Sequence, residues 1–374
     1  MRTVLATSFT PSLDSGRARR TYAVVSALAR HGPLDLVYGA FGAPAPDAAY
    51  DELAGVNMHR VERPRGFQRA PAYLRARLAG VPADFARGIW PGLASRTAKL
   101  TGGGEPVRIV AEGPVAAAAL LPLASRLPAI YNAHNLESSF RHRLDEAGMS
   151  LAALERFERL LLDSYHESWM VSEADLAGAR SLSPAARLRF VPNVVDVAAI
   201  EPVAPRSGQQ VVLFVADLGY EPNRGALKFL IEEAMPSLWR QAPEVELVIA
   251  GKGSERFAGA DSRVRARGFV PDLRELYAGA GCVAVPLLEG GGSPLKFVEA
   301  LAFGLPVVAT PRASVGLAVE AGHDCIEAPA AAEPFAAALL EALQPSRGNA
   351  LADAGRELAE REYSIEALER RLEL

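Results

Sequence analysis

The chain has 374 residues, 49% of them apolar, and a formal net charge of −4 at pH 7. This length is sufficient for two domains with separate cores, and the slightly acidic balance argues against general nucleic-acid binding. No apolar run is long enough to cross a bilayer, the first residues lack the pattern of a secretory signal, and two cysteines suggest no disulfide framework, so we expect a cytoplasmic location.

The first half of the chain alternates short apolar runs with helical patterns. Predicted helices include Arg17–Arg30, Val115–Ser125 and Ser150–Tyr165. Short strands that are apolar on both faces and separated by helices are typical of a parallel, doubly wound sheet. The predicted strands are Arg2–Phe9, Leu34–Ala40, Asn57–Glu62, Arg108–Gly113, Ala129–His134, Ser168–Ser172 and Arg187–Asn193.

A lapse in this pattern, over residues 197–210, predicts a linker, because the segment combines prolines and a Ser-Gly pair without periodicity. A second αβ series follows, which predicts a second open sheet. We therefore predict an α/β protein with Rossmann-like domains at residues 1–200 and 208–374, the last helix closing the second domain or crossing back to the first. The strands of this series are expected within Gln210–Leu218, Val245–Gly253, Val264–Val270, Cys282–Leu288, Pro306–Thr310 and His323–Ala330.

The segment Glu289–Glu299, with the sequence EGGGSPLKFVE, predicts an anion-binding loop at the start of a helix. Glycines allow close backbone approach, while Ser293 suits the N-cap and Pro294 the first helical position. The helix would direct free N–H groups at the loop, with Lys296 and Glu299 on the same face. A phosphate beside a hydroxylated sugar, as in a nucleotide-sugar, fits this pattern; the alternative is an ordinary strand-to-helix turn.

Taken together, several segments resemble the retaining glycosyltransferases of family 4. Between Gln209 and Thr310 they are LFVADLGYEPNRGALKFL, LVIAGKG, VRARGFVPDLRELYAGA and PLLEGGGSPLKFVEALAFGLPVVAT, and in the first half NAHNLESSF, LERFERLLLDSY, MVSEAD and VPNVVD. The resemblance covers nearly the whole chain. It implies the GT-B fold, with two Rossmann-like domains facing a central cleft, and transfer of a sugar from a nucleoside-diphosphate sugar to a glycan, lipid-linked or small-molecule acceptor with retention of configuration.

The resemblance also implies the roles of particular residues. Glu299 would bind the ribose hydroxyls, Lys296 the diphosphate, and His134 the transferred sugar, so that Lys296 and His134 are the expected catalytic residues. For His134 a packing role is the alternative, and for Gly16 an ordinary helix start; Lys252 is expected to be exposed. The implied donor-binding residues are Gly16, Asp217, Gly219, Asn223, Arg224, Phe269, Val270, Gly291, Gly292, Ser293, Pro294, Leu295, Lys296 and Glu299.

This sequence departs from the family pattern at two places. Gly291 stands where the family carries a glutamate eight positions before Glu299, and Asp217 and Gly219 lie near the position of its usual diphosphate arginine. Arg224 matches the position of a family lysine. Lys296 is therefore expected to carry more of the diphosphate charge. The six His and two Cys show no ligand spacing, so neither a metal nor another cofactor is expected.

The segment Arg60–Arg77 clusters arginines with Phe67, Tyr73 and Leu74. Such a segment could contact an anionic membrane surface or a lipid-linked or phosphorylated acceptor, so peripheral attachment to the inner face of the membrane is one expectation. A solvated basic loop and helix is the alternative.

Apart from a two-lobed solute-binding protein, which is disfavoured because such proteins are normally exported and no export signal is expected here, three rival functions are considered. An NAD-dependent dehydrogenase is disfavoured because no GxGxxG follows a strand with an acidic residue about twenty positions later. A nucleotide-sugar epimerase of the same fold would share the donor site. A catalytically impaired relative acting as a binding partner is the third, given Gly291 and the altered diphosphate loop.

Overall fold

Two separate sheets organise the chain. The computed structural model describes residues 1–42, 45–64, 69–104, 106–139, 150–203, 209–290 and 293–374. Contacts divide the chain into unit 1, which comprises Met1–Pro192 and Leu368–Leu374, and unit 2, which comprises Asn193–Ala367. Each unit has its own hydrophobic core.

Unit 1 contains a seven-stranded parallel sheet in the order β3-β2-β1-β4-β5-β6-β7. The order reverses between β1 and β4, and in open parallel sheets ligands bind beyond the carboxyl ends of the strands at such a point. The strands are β1 (Arg2–Thr7), β2 (Leu34–Gly39), β3 (Val56–Val61), β4 (Val107–Glu112), β5 (Ala129–Asn132), β6 (Glu167–Met170) and β7 (Leu188–Phe190).

The helices of the first 192 residues cover this sheet. The first begins at Gly16 because the Ser15 hydroxyl caps it, accepting a hydrogen bond from the Ala18 amide at 3.3 Å. The helices are α1 (Gly16–Arg30), α2 (Ala70–Leu78), α3 (Ala83–Arg87), α4 (Pro91–Thr101), α5 (Gly113–Ala124), α6 (Leu151–Ser164) and α7 (Glu173–Leu182), with 3₁₀ turns at Ala48–Tyr50 and Glu137–Ser139.

Unit 2 contains a six-stranded parallel sheet in the order β10-β9-β8-β11-β12-β13. Its order reverses between β8 and β11, so the loops after these two strands occupy the position where ligands bind in such sheets. The strands are β8 (Val211–Val215), β9 (Glu246–Ala250), β10 (Val264–Ala266), β11 (Cys282–Val285), β12 (Val307–Ala309) and β13 (Ile326–Glu327).

Helices also pack on the second sheet. They are α8 (Glu221–Phe229), a π-helical turn (Leu230–Ala234), α9 (Met235–Trp239), α10 (Arg274–Ala278), α11 (Leu295–Ala302), α12 (Pro311–Ser314), α13 (Ala332–Ala342) and α14 (Pro345–Glu362), with 3₁₀ turns at Val197–Ala199 and Ser254–Phe257. The last helix, α15 (Ile365–Leu372), leads from unit 2 into unit 1.

The returning C-terminal residues are held in unit 1 by side-chain contacts. The Arg189 guanidinium donates to the Arg371 carbonyl oxygen at 2.8 Å, and the Arg371 guanidinium lies 5.1 Å from the centre of the Phe190 ring. These contacts fasten the end of the chain to β7 and the segment around it.

All thirteen predicted strands correspond to strands in the structure, and the three named helices are present. Several predicted strands end too late, as at Ala129–His134 against the observed Ala129–Asn132, because apolar or small loop residues extend the pattern beyond the last ladder pair. Residues 197–203, which the sequence analysis assigned to a linker, lie in unit 2, where the Val203 amide donates to the Phe303 carbonyl at 2.8 Å.

The turn after β9 requires glycine at residue 251. Gly251 has φ +123°, and a Cβ there would lie 1.9 Å from the Ala216 carbonyl oxygen, whereas Gly259 has φ +82° with open space around it. We expect Gly259→Ala to cost about 1–2 kcal/mol of stability from backbone strain alone, and Gly251→Ala to cost more because overlap is added. Thermal unfolding followed by circular dichroism measures both; equal midpoints would contradict the steric argument.

Candidate functional site

The loop after β8 is folded onto the first turn of α11. The Lys296 ammonium donates to Asn223 Oδ1 at 2.7 Å, and Asn223 Nδ2 donates to the Asp217 carbonyl at 2.8 Å. The Gly219 amide donates to Asp217 Oδ1 at 2.8 Å. Four of the sequence-predicted donor residues are thus joined in one hydrogen-bonded chain within unit 2.

Arg224 supports this loop from within. Its Nη1 donates to the carbonyl oxygens of Leu218 and Gly219, each at 3.0 Å, and its other terminal nitrogen pairs with Glu221. The guanidinium is therefore engaged by the loop backbone and by its neighbour on α8. In this arrangement Arg224 shapes the loop, and Lys296 is the cation at the helix start.

The start of α11 differs from the predicted cap. The helix begins at Leu295 with Pro294 at the N-cap position, so the prediction of Ser293 as N-cap and Pro294 as first helical residue was wrong by one position. The Ser293 side chain is buried, and its hydroxyl has no hydrogen-bond partner within the part of the chain that the structure describes. Gly291 and Gly292 lie outside the described residues.

The Lys296 side chain is half-buried and lies 5.3 Å, measured from Nζ, from the centre of the Phe214 ring. Burial lowers the pKa of Lys296 to about 7, because desolvation disfavours the charged form. Because this pKa is close to neutral pH, a charged group near the start of α11 would change the fraction of Lys296 that is protonated. Glu299, one turn further along α11, is also half-buried.

The loops after β9 and β10 complete this end of the second sheet. The Gly251 amide donates to the Gly268 carbonyl at 2.8 Å, which joins the two loops. Phe269 is 55% exposed, and the Lys252 ammonium lies 5.7 Å from the centre of its ring. Val270 is half-buried, and Lys252 is exposed as expected. An exposed aromatic ring in this position offers a flat apolar surface to a ligand.

In unit 1 the predicted residues Gly16 and His134 lie beside one cavity, which we call the β1 cavity. It has a volume of about 210 Å³, and Gly16 sits between two of its lining residues at the start of α1. The Arg17 guanidinium lies 3.6 Å from the centre of the Phe9 ring in its wall. The lining residues are Thr7, Phe9, Thr10, Pro11, Ser12, Asp14, Ser15, Arg17, Ala18, Thr21, Phe41, Gly42, Tyr50 and His134.

Glu112, at the end of β4, is the main polar residue that the sequence analysis did not identify. It is fully buried and accepts hydrogen bonds from His134 Nε2 at 2.6 Å, Asn132 Nδ2 at 2.6 Å and the Thr21 hydroxyl at 3.1 Å. Arg20 Nη2 donates to Asn132 Oδ1 at 2.7 Å. The network joins the ends of β4 and β5 to α1.

The carboxyl group of Glu112 remains ionised in this environment. Burial by itself would raise its pKa, but hydrogen bonds from His134 and Asn132 and the charge of Arg20 bring the pKa below its usual value. Burial lowers the pKa of Arg20 to about 10, against the opposing effect of Glu112 and Asp175. Both groups are charged at neutral pH. The sequence feature that could have revealed this site is Glu112 itself, a carboxylate at the end of the otherwise apolar run IVAE.

Two further features are absent from the described residues. No group of three or more His, Cys, Asp or Glu side chains there is arranged to hold a metal ion. None of the helices found there combines the length and the apolar character that crossing a membrane requires.

Comparison with known proteins identifies the C-terminal segment. Residues 209–345 match the model of the family described as "Glycosyl transferases group 1". A search of curated protein sequences gives no significant match.

Solved structures match over the full length of the chain. Sucrose-phosphate synthase (tll1590) from Thermosynechococcus elongatus has a TM-score of 0.74 at 16% identity, covering 100% of this chain and 97% of that one. Alr3699/HepE from Anabaena, in complex with UDP and glucose, has a TM-score of 0.67 at 15% identity, covering 100% and 98%. A mutant of TarM from S. aureus, in complex with Fondaparinux, alpha-GlcNAc-glycerol and UDP, gives 0.71 at 10% identity, covering 99% and 98%.

These matches agree with the architecture described above. At such low identity the solved structures establish the fold, and they confirm the predicted α/β class with two Rossmann-like units. The family match covers the segment that contains Asn223, Lys296 and Glu299, and it assigns glycosyl transfer to that segment. Residues 209–345 are thus a glycosyl transferase group 1 domain within a chain that has the GT-B fold.

Proposed function

We propose that the donor is a nucleoside-diphosphate sugar bound in unit 2 at the start of α11. The observation that carries this proposal is the hydrogen bond from Lys296 Nζ to Asn223 Oδ1, because it brings the only cation of that first helical turn onto the loop after β8. Free backbone N–H groups at a helix start and a nearby ammonium together suit a phosphate group. The buried hydroxyl of Ser293 is a further hydrogen-bonding group at this position.

The parts around Lys296 suit the remainder of such a donor. Phe269 presents an exposed ring on which a base can stack, and Glu299 offers a carboxylate to ribose hydroxyls. Uracil is the first base to test, since the structurally similar Alr3699/HepE has been solved with UDP-glucose.

Retention of configuration and independence of metal ions are part of the proposal. Preorganised amides and an ammonium aimed at the leaving diphosphate supply the charge stabilisation that a cation supplies elsewhere. The leaving phosphate would help to deprotonate the acceptor hydroxyl on the same face, as the resemblance to retaining enzymes implies. Trapping of a covalent glycosyl-enzyme would contradict this route, and loss of activity in a chelator would contradict metal independence.

The donor proposal predicts selective stabilisation by one nucleotide family. UDP-glucose at a thousandfold excess over its dissociation constant should stabilise the wild type by about 4 kcal/mol. Lys296→Met should lose this effect because the ammonium is removed while an unbranched side chain that reaches as far as Cε remains. Lys228→Met, at an exposed lysine on α8, is the matched control and should behave as wild type. Thermal shift with UDP, GDP, ADP and their sugars measures it.

The outcomes of that panel separate the alternatives. No shift with any nucleotide would contradict the donor proposal. Stabilisation without turnover would favour the catalytically impaired relative. Conversion of the donor sugar in the absence of acceptor, detected by product analysis, would favour the epimerase.

Donor binding should also take up a proton. With the pKa of Lys296 at about 7 in the empty protein, most molecules carry a neutral amine at about pH 8, and an arriving diphosphate raises that pKa. Affinity should therefore be constant below pH 7 and fall as pH rises from 7 towards the pKa of the complex. Calorimetry of UDP-glucose in buffers of different ionisation enthalpy measures the uptake; in Lys296→Met it should vanish, and buffer-independent heats in wild type would contradict the prediction.

We also propose that the protein lies at the inner face of the membrane, where a lipid-linked or glycan acceptor would be reached. On α2, Leu74 is 59% and Leu78 81% exposed, and Arg75 and Arg77 are exposed beside them. Exposed leucines among arginines suit an anionic bilayer surface. Tyr73 packs on the core instead, and Phe67 lies outside the described residues.

This contact predicts binding to vesicles that contain anionic lipid. Leu74→Ser with Leu78→Ser should weaken co-flotation at least tenfold, since each buried leucine contributes about 1.5–3 kcal/mol. Leu127→Ser, at an exposed leucine outside α2, is the control. Equal flotation of all three proteins, or none with wild type, would contradict membrane contact.

A further inference from the structure

The start of α11 is preceded by a capping residue that does not cap it. Ser293 lies directly before Pro294, the N-cap residue, and its hydroxyl is buried with no hydrogen-bond partner among the described residues. Serine is among the residues that most often cap a helix through a side-chain oxygen, and proline is favoured at the first helical position. Local preferences therefore favour a helix that begins one residue earlier, and a contact elsewhere in the fold must prevent it.

The observed start leaves two backbone amides of the first turn available. The Phe297 amide donates to the Pro294 carbonyl oxygen at 2.9 Å. No acceptor for the amides of Leu295 and Lys296 lies in the part of the chain that the structure describes. If Ser293 were the N-cap, its hydroxyl would accept a hydrogen bond from the amide of Leu295 or Lys296. The earlier start would thus use an N–H group that the observed start leaves without an acceptor.

Asn193 holds the carbonyl group on which the earlier start depends. Its Nδ2 donates to the Ser293 carbonyl oxygen at 2.7 Å. In a helix that began one residue earlier, this oxygen would accept from the amide of Phe297, four residues further on. Pro294 has φ −68° and ψ 109°, so it does not have the helical conformation that the earlier start requires. The side chain of Asn193 therefore competes with α11 for one carbonyl oxygen.

Two earlier carbonyl groups between β11 and α11 are also held by side chains from another part of unit 2. The Thr310 hydroxyl donates to the Leu287 carbonyl oxygen at 2.5 Å. The Arg312 guanidinium donates to the carbonyl oxygen of Gly290. Both donors follow β12, whereas Asn193 is the first residue of unit 2. Carbonyl oxygens repel an anion and N–H groups attract it, so bonds that engage these carbonyls favour an anion at the helix start.

We propose that Asn193 is a positioning residue for the anion-binding end of α11. By holding the Ser293 carbonyl oxygen it keeps Ser293 from capping the helix, and the first two amides of α11 are left to a phosphate group. Use of these amides by a nucleotide-sugar rests on the proposed function. The choice between the two helix starts rests on contacts within unit 2 alone.

Asn193→Leu separates the two helix starts. It removes the donor group and keeps a branched side chain of similar size. The Ser293 carbonyl oxygen then accepts from the helix, Ser293 becomes the N-cap, and the Lys296 amide gains the Ser293 hydroxyl as its acceptor. Asn193 is half-buried, so the loss of this one hydrogen bond should leave the protein folded, with a thermal midpoint close to that of wild type.

The helix start can be measured directly by amide hydrogen exchange, followed by NMR on the full chain labelled with ¹⁵N at its lysines. The Lys296 signal is assigned by its loss in Lys296→Met. Without ligand, we expect this amide to exchange about tenfold more slowly in Asn193→Leu than in wild type, because it gains an acceptor. Equal exchange in the two proteins, or slower exchange in wild type, would overturn the proposal.

Anion binding is tested by calorimetry with pyrophosphate, which has the two phosphate groups of the proposed donor without base or sugar. Asn193→Leu should bind it about tenfold more weakly than wild type, because the anion must displace the Ser293 hydroxyl from the helix start. Adding Ser293→Ala to Asn193→Leu should recover affinity, since no hydroxyl then caps the helix. A loss of packing alone would not be relieved by a second truncation. No binding to wild type, equal affinity in Asn193→Leu, or no recovery in the double variant would overturn the proposal.

Asn349→Leu is the matched control. Asn349 is another half-buried asparagine of unit 2, and it lines a small cavity with Gly281 and Pro306, which directly precede β11 and β12 at the opposite end of the sheet. We expect it to leave both Lys296 exchange and pyrophosphate binding unchanged. Binding of pyrophosphate without binding of any nucleotide-sugar would overturn the proposed function and leave the role of Asn193 standing.

Discussion

A single buried carboxylate organises the carboxyl end of the first sheet. Glu112 ends the strand next to β1, and every hydrogen bond that it accepts comes from a different part of unit 1: α1, the end of β5, and the residue two positions beyond β5. Placing an ion in a protein interior costs several kcal/mol unless its oxygens are fully paired. The chain meets that requirement with Thr21, Asn132 and His134, so the position of each of these side chains depends on the carboxylate.

At the carboxyl end of the second sheet the partly buried charged group is a cation, Lys296. Burial disfavours the charged form of Lys296. Among the described residues its ammonium donates to one side chain, at the neutral Oδ1 of Asn223. No carboxylate is hydrogen-bonded to it within the described part of the chain. Unit 1 differs in this respect, because the charges of Arg20 and Glu112 there are of opposite sign and lie in the same network.

Much of the fold was accessible from sequence because strands that are apolar on both faces leave a strong local pattern. The start of α11 was also predictable to within one residue, because proline is favoured in the first turn of a helix. Glu112 was not, because its importance comes from Thr21 and Asn132, which are 91 and 20 residues away in the chain. Arg224 is a different case: the sequence offered it as a donor-binding residue, and in the structure its guanidinium is hydrogen-bonded to the backbone of its own loop, five and six residues away.

The path of the chain between the units has a consequence for how the protein is made. Unit 2 is one continuous stretch, Asn193–Ala367, inserted between the main part of unit 1 and its last seven residues. During synthesis the first sheet can form early, but the contacts of Arg371 with Arg189 and Phe190 become available only after the rest of the chain has been translated. Unit 2 can therefore fold while unit 1 still lacks Leu368–Leu374. Unit 1 is thus completed by residues that are translated after all of unit 2, although its strands are the first to be made.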